Sequence, residues 1–553
     1  MKSLSETNKA AKVCPTRIPH HIRLELLLLL YVRAGVRARY ATHSLNCAQT
    51  RPGTDNPNRA APAMETEGNS LPSPSCPDGR TRSVCYYYDP LIANVDYGAG
   101  HNMVPRRVAL THALVDSYGL LHGHGMKRLR TRPATEEELA SILNKDYLEL
   151  LRDLTPHNYS GKRREGAVKR NIVGLTHHDQ EAEDDGQQNS DDNPVIAGLW
   201  DYCQRYAGGS LAAARALGSR DSDIAINWSG GMHHACRDGA SGFCYANDIV
   251  LAVRELLRVF PRVLYVDIDV HHGDAVEDQF AEDSRVMAVS FHQHGRRANG
   301  GDGEFFPGTG AAGDVGKGEG EYRTPNVPLK YGMDDAGYRE MFRPIVGEVM
   351  RVFQPEALVM QCGADSLAGD RLGEFNLSVR GHASCVAYLR SFNKPLLLLG
   401  GGGYTINHVA SCWCYETAVA IGTEIPDEIP HHGYEHYNKD QDYKLHYAAT
   451  RPVKNASNTK EHMANIRKEA MENLEKLKSL QLEAAPSVQF KDPTVGSINF
   501  PNLYDCRKRD REYSEVDDPI KRLYRLCGKA DLGDFFTEVG REHIKSNAVT
   551  RQR

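Results

Sequence analysis

The stretch RVLYVDIDVHHGD, residues 262–274, contains an apolar, β-branched run that passes directly into a cluster of acidic and imidazole side chains. A run this apolar fits a strand that is buried on both faces, as in a parallel sheet. Asp267, Asp269 and His271 are two residues apart, so on a strand they would point to one side. Burying three such groups without partners is costly, whereas a bound cation makes their burial favourable. The stretch therefore predicts a metal site at the end of a buried strand.

Four more runs have the same apolar character and alternate with helical patterns. The runs are DIAINW (223–228), RVMAVSFH (285–292), EALVMQCG (356–363) and KPLLLLGG (394–401), and the clearest helical patterns lie at 247–260 and 338–353. Alternating strands and helices predict an α/β fold with a mostly parallel sheet. In such sheets ligands bind at the carboxyl ends of the strands, so the polar residues after each run should converge on one edge.

The candidate metal site needs a third ligand. A catalytic zinc ion has three protein ligands and one open position, and Asp269 and His271 could supply two of them. Asp365 follows the run at 356–363 and is the candidate for the third. Two carboxylates and one imidazole also suit iron(II) or cobalt, so the residue types leave the metal open.

Two adjacent histidines, His233 and His234, follow a glycine pair in WSGGMHHACRDG (228–239). They could be metal ligands, an acid–base pair or surface residues. Histidine is the usual general base near neutral pH. Asp267 and Asp274 could orient the two imidazoles, because a carboxylate contact selects the tautomer and raises the basicity of a histidine.

A glycine-rich turn, LGGGGYTIN (399–407), follows the last apolar run. Its glycines let the backbone approach a ligand closely. A phosphate-binding role is poorly supported, because no Lys-Ser/Thr pair follows and the G-x-G-x-x-G spacing is absent. Tyr404 could donate its hydroxyl to a tetrahedral oxyanion, although a lone tyrosine is more often a packing residue.

Composition limits the class of protein. The 553 residues carry a net charge of −5, which gives no indication of general nucleic-acid binding. None of the 13 cysteines forms a C-x-x-C pair, which argues against a zinc ribbon and favours a reducing compartment. The apolar run at 24–31 is too short to cross a membrane, so no membrane association is predicted.

Together the motifs resemble those of the class I histone deacetylases, which are zinc-dependent lysine deacetylases. GGMHHA, SGFCYAND, DIDVHHGD, FFPGTG, QCGADSLAGDRLG and GGGGYTI occur in the family's order, between about Cys85 and His446. The resemblance implies the three-layer α/β/α arginase/deacetylase fold with a mostly parallel central sheet. It also implies hydrolysis of N6-acetyl-lysine on histone tails, chromatin deacetylation and transcriptional repression, corepressor scaffold proteins as partners, and location in the nucleus or the cytoplasm.

The resemblance further implies a role for individual residues. The zinc ligands would be Asp269, His271 and Asp365. The catalytic set would be His233, His234, Asp267, Asp274 and Tyr404. The substrate-binding set would be Asp192, Gly242, Phe243, Phe306 and Leu372. Potassium would bind at Asp267, Asp269, His271, Ser290 and Phe291, and Arg371 would contribute to an inositol phosphate site.

Four regions differ from the family's pattern, and one of them is Cys236 and Arg237, where class I members usually carry two lysines. The loop HQHGRRANGGDGEFF (292–306) contains the additional residues RRANGGDG, which we expect to reshape one wall of the acetyl-lysine channel. An acidic run within 160–194 leaves Asp191 as an alternative to Asp192. Val104 and Asn407 replace a lysine and an arginine that bind inositol phosphate, while Arg106, Arg107 and Arg371 remain. We therefore expect weaker inositol phosphate binding, because asparagine lacks arginine's bidentate fork.

The chain is predicted to divide into four parts: a disordered extension (1–81), a histone deacetylase catalytic domain (82–450), an amphipathic helix on the domain edge (451–483) and a polar, flexible tail (484–553). Two other functions stay open. One is a divergent, weakly active scaffold of a corepressor complex, and the other is a deacylase of another acylated amine, such as a polyamine. The intact candidate ligands, histidine pair and Tyr404 favour the deacetylase.

Overall fold

The computed structural model describes residues 82–122, 125–174, 192–298, 300, 303–448, 452–455 and 457–484. The predicted extension at 1–81, with its apolar run, and the predicted tail beyond residue 484 lie outside these residues. Nearly all described residues belong to one compact unit, Thr66–Pro430 with His436–Arg553. In the other unit only His431–Glu435 is described, and there the backbone N–H groups of His432 and Gly433 donate to the Glu435 carboxylate.

Among the described residues, eight strands form one sheet in which all neighbouring strands run parallel, in the order β2-β1-β3-β8-β7-β4-β5-β6. The predicted α/β fold with a parallel sheet is confirmed, and all five predicted strands are present. The strands are β1 (Val84–Tyr87), β2 (Met126–Leu129), β3 (Ile224–Asn227), β4 (Val263–Asp267), β5 (Val286–Gln293), β6 (Asn326–Leu329), β7 (Ala357–Gln361) and β8 (Leu396–Leu399).

Helices cover both faces of the sheet, which explains why the strands are apolar throughout. Every residue of β4 is buried, and its alternate residues Val263 and Tyr265 belong to the core that α5 and α6 close. The α-helices are α1 (Arg106–Ser117), α2 (Glu136–Ala140), α3 (Lys145–Asp153), α4 (Gly161–Val168), α5 (Leu199–Gly218), α6 (Asp248–Leu256), α7 (Asp274–Phe280), α8 (Asp335–Phe353), α9 (Val379–Ser391), α10 (Ile406–Ile421) and α11 (Lys460–Ala484). Short 3₁₀ helices lie at Ile92–Asn94, Gly318–Gly320, Ala364–Ser366 and Glu435–Gln441.

Side-chain caps determine where the two predicted helices begin. Asn247 accepts a hydrogen bond from the backbone of Val250 at 3.1 Å, so α6 starts at Asp248. Asp334 accepts one from Gly337 at 2.9 Å, so α8 begins before the predicted residue 338. Both helices thus start where a polar side chain satisfies a free N–H group.

The segment 451–483, predicted as an amphipathic helix, overlaps α11, which begins only at Lys460 and buries one apolar stripe. Arg467 on its outer side lies 3.3 Å from Glu340 of α8. No helix among the described residues has the length and apolar character needed to cross a membrane. The buried stripe consists of Met463, Ile466, Ala470, Leu474 and Leu477.

Candidate active site

The carboxyl ends of four adjacent strands carry the candidate site. In the sheet these strands lie in the order β3-β8-β7-β4, although along the chain they come in the order β3, β4, β7, β8. The histidine pair follows β3, the acidic cluster follows β4, Asp365 follows β7 and Tyr404 follows β8. The sheet order therefore brings together groups that are up to 171 residues apart, from His233 to Tyr404.

Asp269 and His271 lie in a turn after β4, because the strand ends at Asp267. The prediction that they share one side of a strand was wrong. Instead, the Asp267 carboxylate accepts the Asp269 N–H at 3.1 Å, and the Asp269 carboxylate accepts the His271 N–H at 3.0 Å. These contacts, each two residues along the chain, replace strand pairing and turn the segment inward.

Asp269, His271 and Asp365 are buried with their potential ligand atoms within 4.8 Å of one another. His271 Nδ1 lies 3.0 Å from Asp269 Oδ1 and 3.0 Å from Asp365 Oδ2. Burial and the neighbouring Asp269 charge raise the pKa of Asp365 to about 7. Two carboxylates and one imidazole brought together in a buried position are donor types that a divalent cation takes, so the set fits such a cation.

Glycines allow this close packing of carboxylates. A Cβ atom on Gly402 would lie 2.0 Å from Asp365 Oδ2, and one on Gly363 would lie 2.0 Å from Asp269 Oδ2. The Gly402 N–H also donates to Asp269 Oδ2 at 2.8 Å. The glycine-rich turn thus approaches the carboxylates of the candidate metal site closely, and a larger residue would displace them.

Each histidine of the adjacent pair contacts its own carboxylate. His233 Nδ1 lies 2.8 Å from Asp267 Oδ2, and His234 Nδ1 lies 2.7 Å from Asp274 Oδ1. Burial works to lower the pKa of His233, but the Asp267 and Asp269 carboxylates raise it to about 9. Burial and the charge of His233 lower the pKa of His234 to about 4. The pair therefore combines a charged imidazole with a neutral one at neutral pH.

Tyr404 lies beside the metal triad, with its ring centroid 6.5 Å from that of His271. Burial, with Asp365 and Asp269 nearby, raises the pKa of Tyr404 well above its ordinary value, so the phenol stays a hydrogen-bond donor. Arg107 supports the preceding turn by donating to the carbonyls of Gly403 at 2.6 Å and Gly401 at 2.5 Å. Arg107 is therefore buried and engaged, and is not free to bind an inositol phosphate at the surface.

The two predicted channel aromatics lie near different members of the site. The Phe306 ring is 5.0 Å from that of His234, and the Phe243 ring is 5.5 Å from that of Tyr404. Gly242 has a φ of +48°, and a Cβ there would lie 2.4 Å from His234 Cδ2. The backbone of Phe243 is held by Asn193, whose side-chain oxygen accepts its N–H at 2.9 Å.

The structure also describes the other predicted residues. Asp192 directly precedes Asn193. Leu372 is partly buried against the core, and Arg371 beside it is exposed. In the predicted potassium set, Ser290 pairs with Asp267 across β4 and β5, and Phe291 is buried next to it. The structure thus brings the candidate metal ligands, the histidine pair, Tyr404 and the two phenylalanines together at one edge of the sheet.

Two residues that the sequence analysis did not single out support the site. Asp370 accepts the backbone N–H groups of Tyr404 at 2.7 Å and Leu372 at 2.9 Å. Phe305 stacks on His271, with ring centroids 5.0 Å apart and planes at 14°. Phe305 could have been selected from the sequence, because it is the first residue of the FFPGTG motif. The role of Asp370 depends on its hydrogen-bond partners, which the sequence does not show.

A second buried cluster anchors the loop that carries Asp365. His382 contacts the Glu416 carboxylate through Nδ1 at 2.6 Å and the Gly363 carbonyl through Nε2 at 2.9 Å. Cys412 Sγ lies 3.3 Å from the same Nδ1. With both imidazole nitrogens engaged, His382 connects α9 and α10 to the end of β7.

Known protein families and relatives match the whole region that carries this geometry. A family model described as "Histone deacetylase domain" matches residues 101–420. "Histone deacetylase 19" of Arabidopsis thaliana is 48% identical over 455 residues, covering 82% of this chain and 80% of that protein. "Histone deacetylase 1" of Oryza sativa subsp. japonica is 50% identical, covering 77% and 75%. "Histone deacetylase 1" of Homo sapiens is 46% identical, covering 75% and 78%.

Proposed function

Because this chain belongs to the histone deacetylase family, we propose that it hydrolyses the amide of N6-acetyl-lysine in histones, releasing acetate and lysine. The observation that carries the proposal is the cluster at the carboxyl ends of β3, β4, β7 and β8. There two carboxylate-paired histidines, a buried Asp-His-Asp triad and a protonated tyrosine surround one point. Each group has a place in acyl-amide hydrolysis.

Zinc is the proposed cation for Asp269, His271 and Asp365. The triad offers three ligands of the type that catalytic zinc takes. When bound, zinc would polarise the amide carbonyl and lower the pKa of a water molecule. The loop after β4 and the glycines beside it hold these carboxylates in place.

The two histidines would handle the protons of the reaction. His234 is neutral because of burial, so its free Nε2 can accept a proton from the attacking water, and Asp274 orients the ring. The same nitrogen can then return a proton to the leaving lysine amine. His233 stays charged through Asp267 and adds positive charge next to the developing oxyanion.

Tyr404 would donate its hydroxyl to the oxyanion of the tetrahedral intermediate. Its raised pKa keeps the proton on the oxygen, and the Asp370 contact at its backbone sets its position. Phe243 and Phe306 would enclose the apolar part of the acetyl-lysine side chain, with Gly242 and Leu372 completing the wall. Asp192 would accept backbone N–H groups of the substrate peptide.

Further partners follow from the family. We propose an acetylated histone tail as substrate, a corepressor scaffold as partner and the nucleus as the place of action. Potassium would bind beside Asp267 and Ser290, partly through backbone carbonyls. Arg371 is exposed and would contribute to a weak inositol phosphate site.

Acetate release from an acetyl-lysine histone peptide tests the proposal. We expect metal-dependent turnover that a chelator abolishes and that zinc restores. Tyr404→Phe should lower kcat about 100-fold or more, as does loss of an oxyanion donor elsewhere. Tyr443→Phe is the matched control, because it removes a hydroxyl from an exposed tyrosine.

Two results would contradict the proposal. One is a folded, metal-loaded protein with no turnover, which would favour a scaffold. The other is turnover of acetylated polyamines but not of histone peptides, which would favour the alternative deacylase.

A further inference from the structure

Within the loop that contains the additional residues RRANGGDG, the described residues Arg296, Arg297 and Ala298 lie next to residues of the predicted channel wall. Arg296 and Glu304 form an antiparallel bridge across its base, and the Phe305 N–H donates to the Gly295 carbonyl at 2.7 Å. The base is therefore held in place directly before Phe305 and Phe306. Arg297 and Ala298 are the loop residues on which the following contacts depend.

Arg297 makes three contacts with residues around the channel. Its guanidinium carbon lies 5.2 Å from the centre of the Phe305 ring. Its Nη2 donates to the Leu372 carbonyl at 3.2 Å, and its Nε lies 3.6 Å from Glu374 Oε1. The side chain is 38% exposed, so these contacts form near the protein surface.

Glu374, which faces Arg297, is itself held by two hydrogen bonds. Its Oε2 accepts hydrogen bonds from Gln293 Nε2 at 2.6 Å and from the Ala298 N–H at 3.0 Å. Gln293 is the last residue of β5. Glu374 thus links the sheet, the additional loop and the arginine, and it is only 14% exposed.

Leu372 is held at both ends of its backbone. Its N–H donates to Asp370 and its carbonyl accepts from Arg297. Asp370 also holds the Tyr404 backbone, and Phe305 stacks on His271. Arg297 therefore contacts the neighbours of the reacting groups but none of those groups.

We propose that Arg297, oriented by Glu374, is a positioning residue that determines how tightly the channel holds the acetyl-lysine side chain. The inference rests on the proposed function, because it assumes that Leu372 lines an acetyl-lysine channel. Loss of Arg297 frees the Leu372 carbonyl and the Phe305 face, so the wall moves and substrate binding weakens. The histidines and Tyr404 keep their own carboxylate partners, so the chemical step continues.

Steady-state kinetics of the full-length, metal-loaded chain test the inference. For Arg297→Ala we expect KM for an acetyl-lysine peptide to rise about five- to tenfold, the equivalent of one lost hydrogen bond, with kcat within about twofold. Arg297→Lys should recover part of the loss, because an ammonium donates to one acceptor but lacks the planar fork. In Glu374→Gln the amide oxygen can still accept from Gln293 and Ala298, but the NH₂ group then faces Arg297 Nε, donor against donor. We expect KM to rise in the same direction, by less than for Arg297→Ala, because the bond from Arg297 to the Leu372 carbonyl remains.

Arg296→Ala is the matched control, since it removes the same charge from an exposed position of the same loop. We expect its KM to equal that of the wild type. An equal rise for Arg296→Ala and Arg297→Ala would overturn the inference in favour of general charge attraction. A parallel fall in kcat and metal content would overturn it in favour of a purely structural role.

Peptide affinity separates this inference from the proposed function. We would measure Kd for the same acetyl-lysine peptide in the Tyr404→Phe background, with and without Arg297→Ala. A five- to tenfold weaker Kd supports the inference, and an unchanged Kd overturns it, whatever the turnover. A wild type that binds the peptide but releases no acetate would contradict the proposed function alone.

Discussion

Asp370→Asn should destabilise the protein and slow catalysis together. The Asp370 carboxylate accepts four backbone N–H groups, from Tyr404 at 2.7 Å, Thr405 at 3.3 Å, Leu372 at 2.9 Å and Gly373 at 3.1 Å. Each carboxylate oxygen serves two of them. An asparagine presents one oxygen and one NH₂ group, so two of the four donors would face another donor.

The size of the effect follows from these contacts. A hydrogen bond to a charged acceptor contributes about 1.5–3 kcal/mol, so losing two costs about 3 to 6 kcal/mol. Because the side chain is partly exposed, we expect a value near the lower end. In either orientation of the asparagine amide, its NH₂ group faces two backbone N–H groups, those of Tyr404 and Thr405 or those of Leu372 and Gly373. That backbone segment should then move, and we expect kcat to fall at least about tenfold.

Chemical denaturation and acetate release measure the two effects. Asp238→Asn is the control, because it makes the same chemical change at an exposed position. A loss of less than about 1 kcal/mol in the free energy of unfolding, together with an unchanged kcat, would refute the reasoning. It would mean that the backbone of this loop keeps its position without the four contacts.

Two further changes have definite expected results. Gly402→Ala places a Cβ 2.0 Å from Asp365 Oδ2, so we expect the bound metal, measured by elemental analysis, to fall at least about tenfold. Gly313→Ala is the control and should retain its metal, because the space around Gly313 is open. Equal metal content in the two variants would contradict the proposed metal site. Burial lowers the pKa of the His408 imidazole from 6.5 to about 4. The unfolded chain therefore takes up a proton at His408 more readily than the folded chain does. The stability that the neutral ring contributes is complete above pH 6.5 and declines as the pH falls towards 4. His408→Phe keeps a ring against Tyr447, whose centroid is 3.7 Å from that of His408, and should make the midpoint temperature of thermal unfolding less dependent on pH between 6.5 and 4. His157→Phe, at an exposed position, is the control and should keep the wild-type pH dependence. The same pH dependence in both variants would exclude the idea.

The class of fold could be predicted because it depends on local patterns. Each buried parallel strand needs apolar residues on both faces, so the runs at 262–269 and 394–401 identify β4 and β8 without any tertiary information. The candidate site could be located for the same reason. His233, Asp365 and Tyr404 follow such runs and Asp267 is the last residue of β4, and the carboxyl ends of parallel strands share one edge.

Which side chains of the site contact each other cannot be predicted from local sequence patterns. β8 and β7 lie between β3 and β4 in the sheet, and only this order sets His233 against Asp267 and Tyr404 beside His271. The side-chain contacts after β4, which override strand alternation, and the four donors around Asp370 are likewise properties of the folded chain. The candidate residues could therefore be selected from the order of the strands and from the motifs that resemble the family's. Their orientation was decided by hydrogen bonds between segments far apart in the chain, which form only once the sheet has assembled.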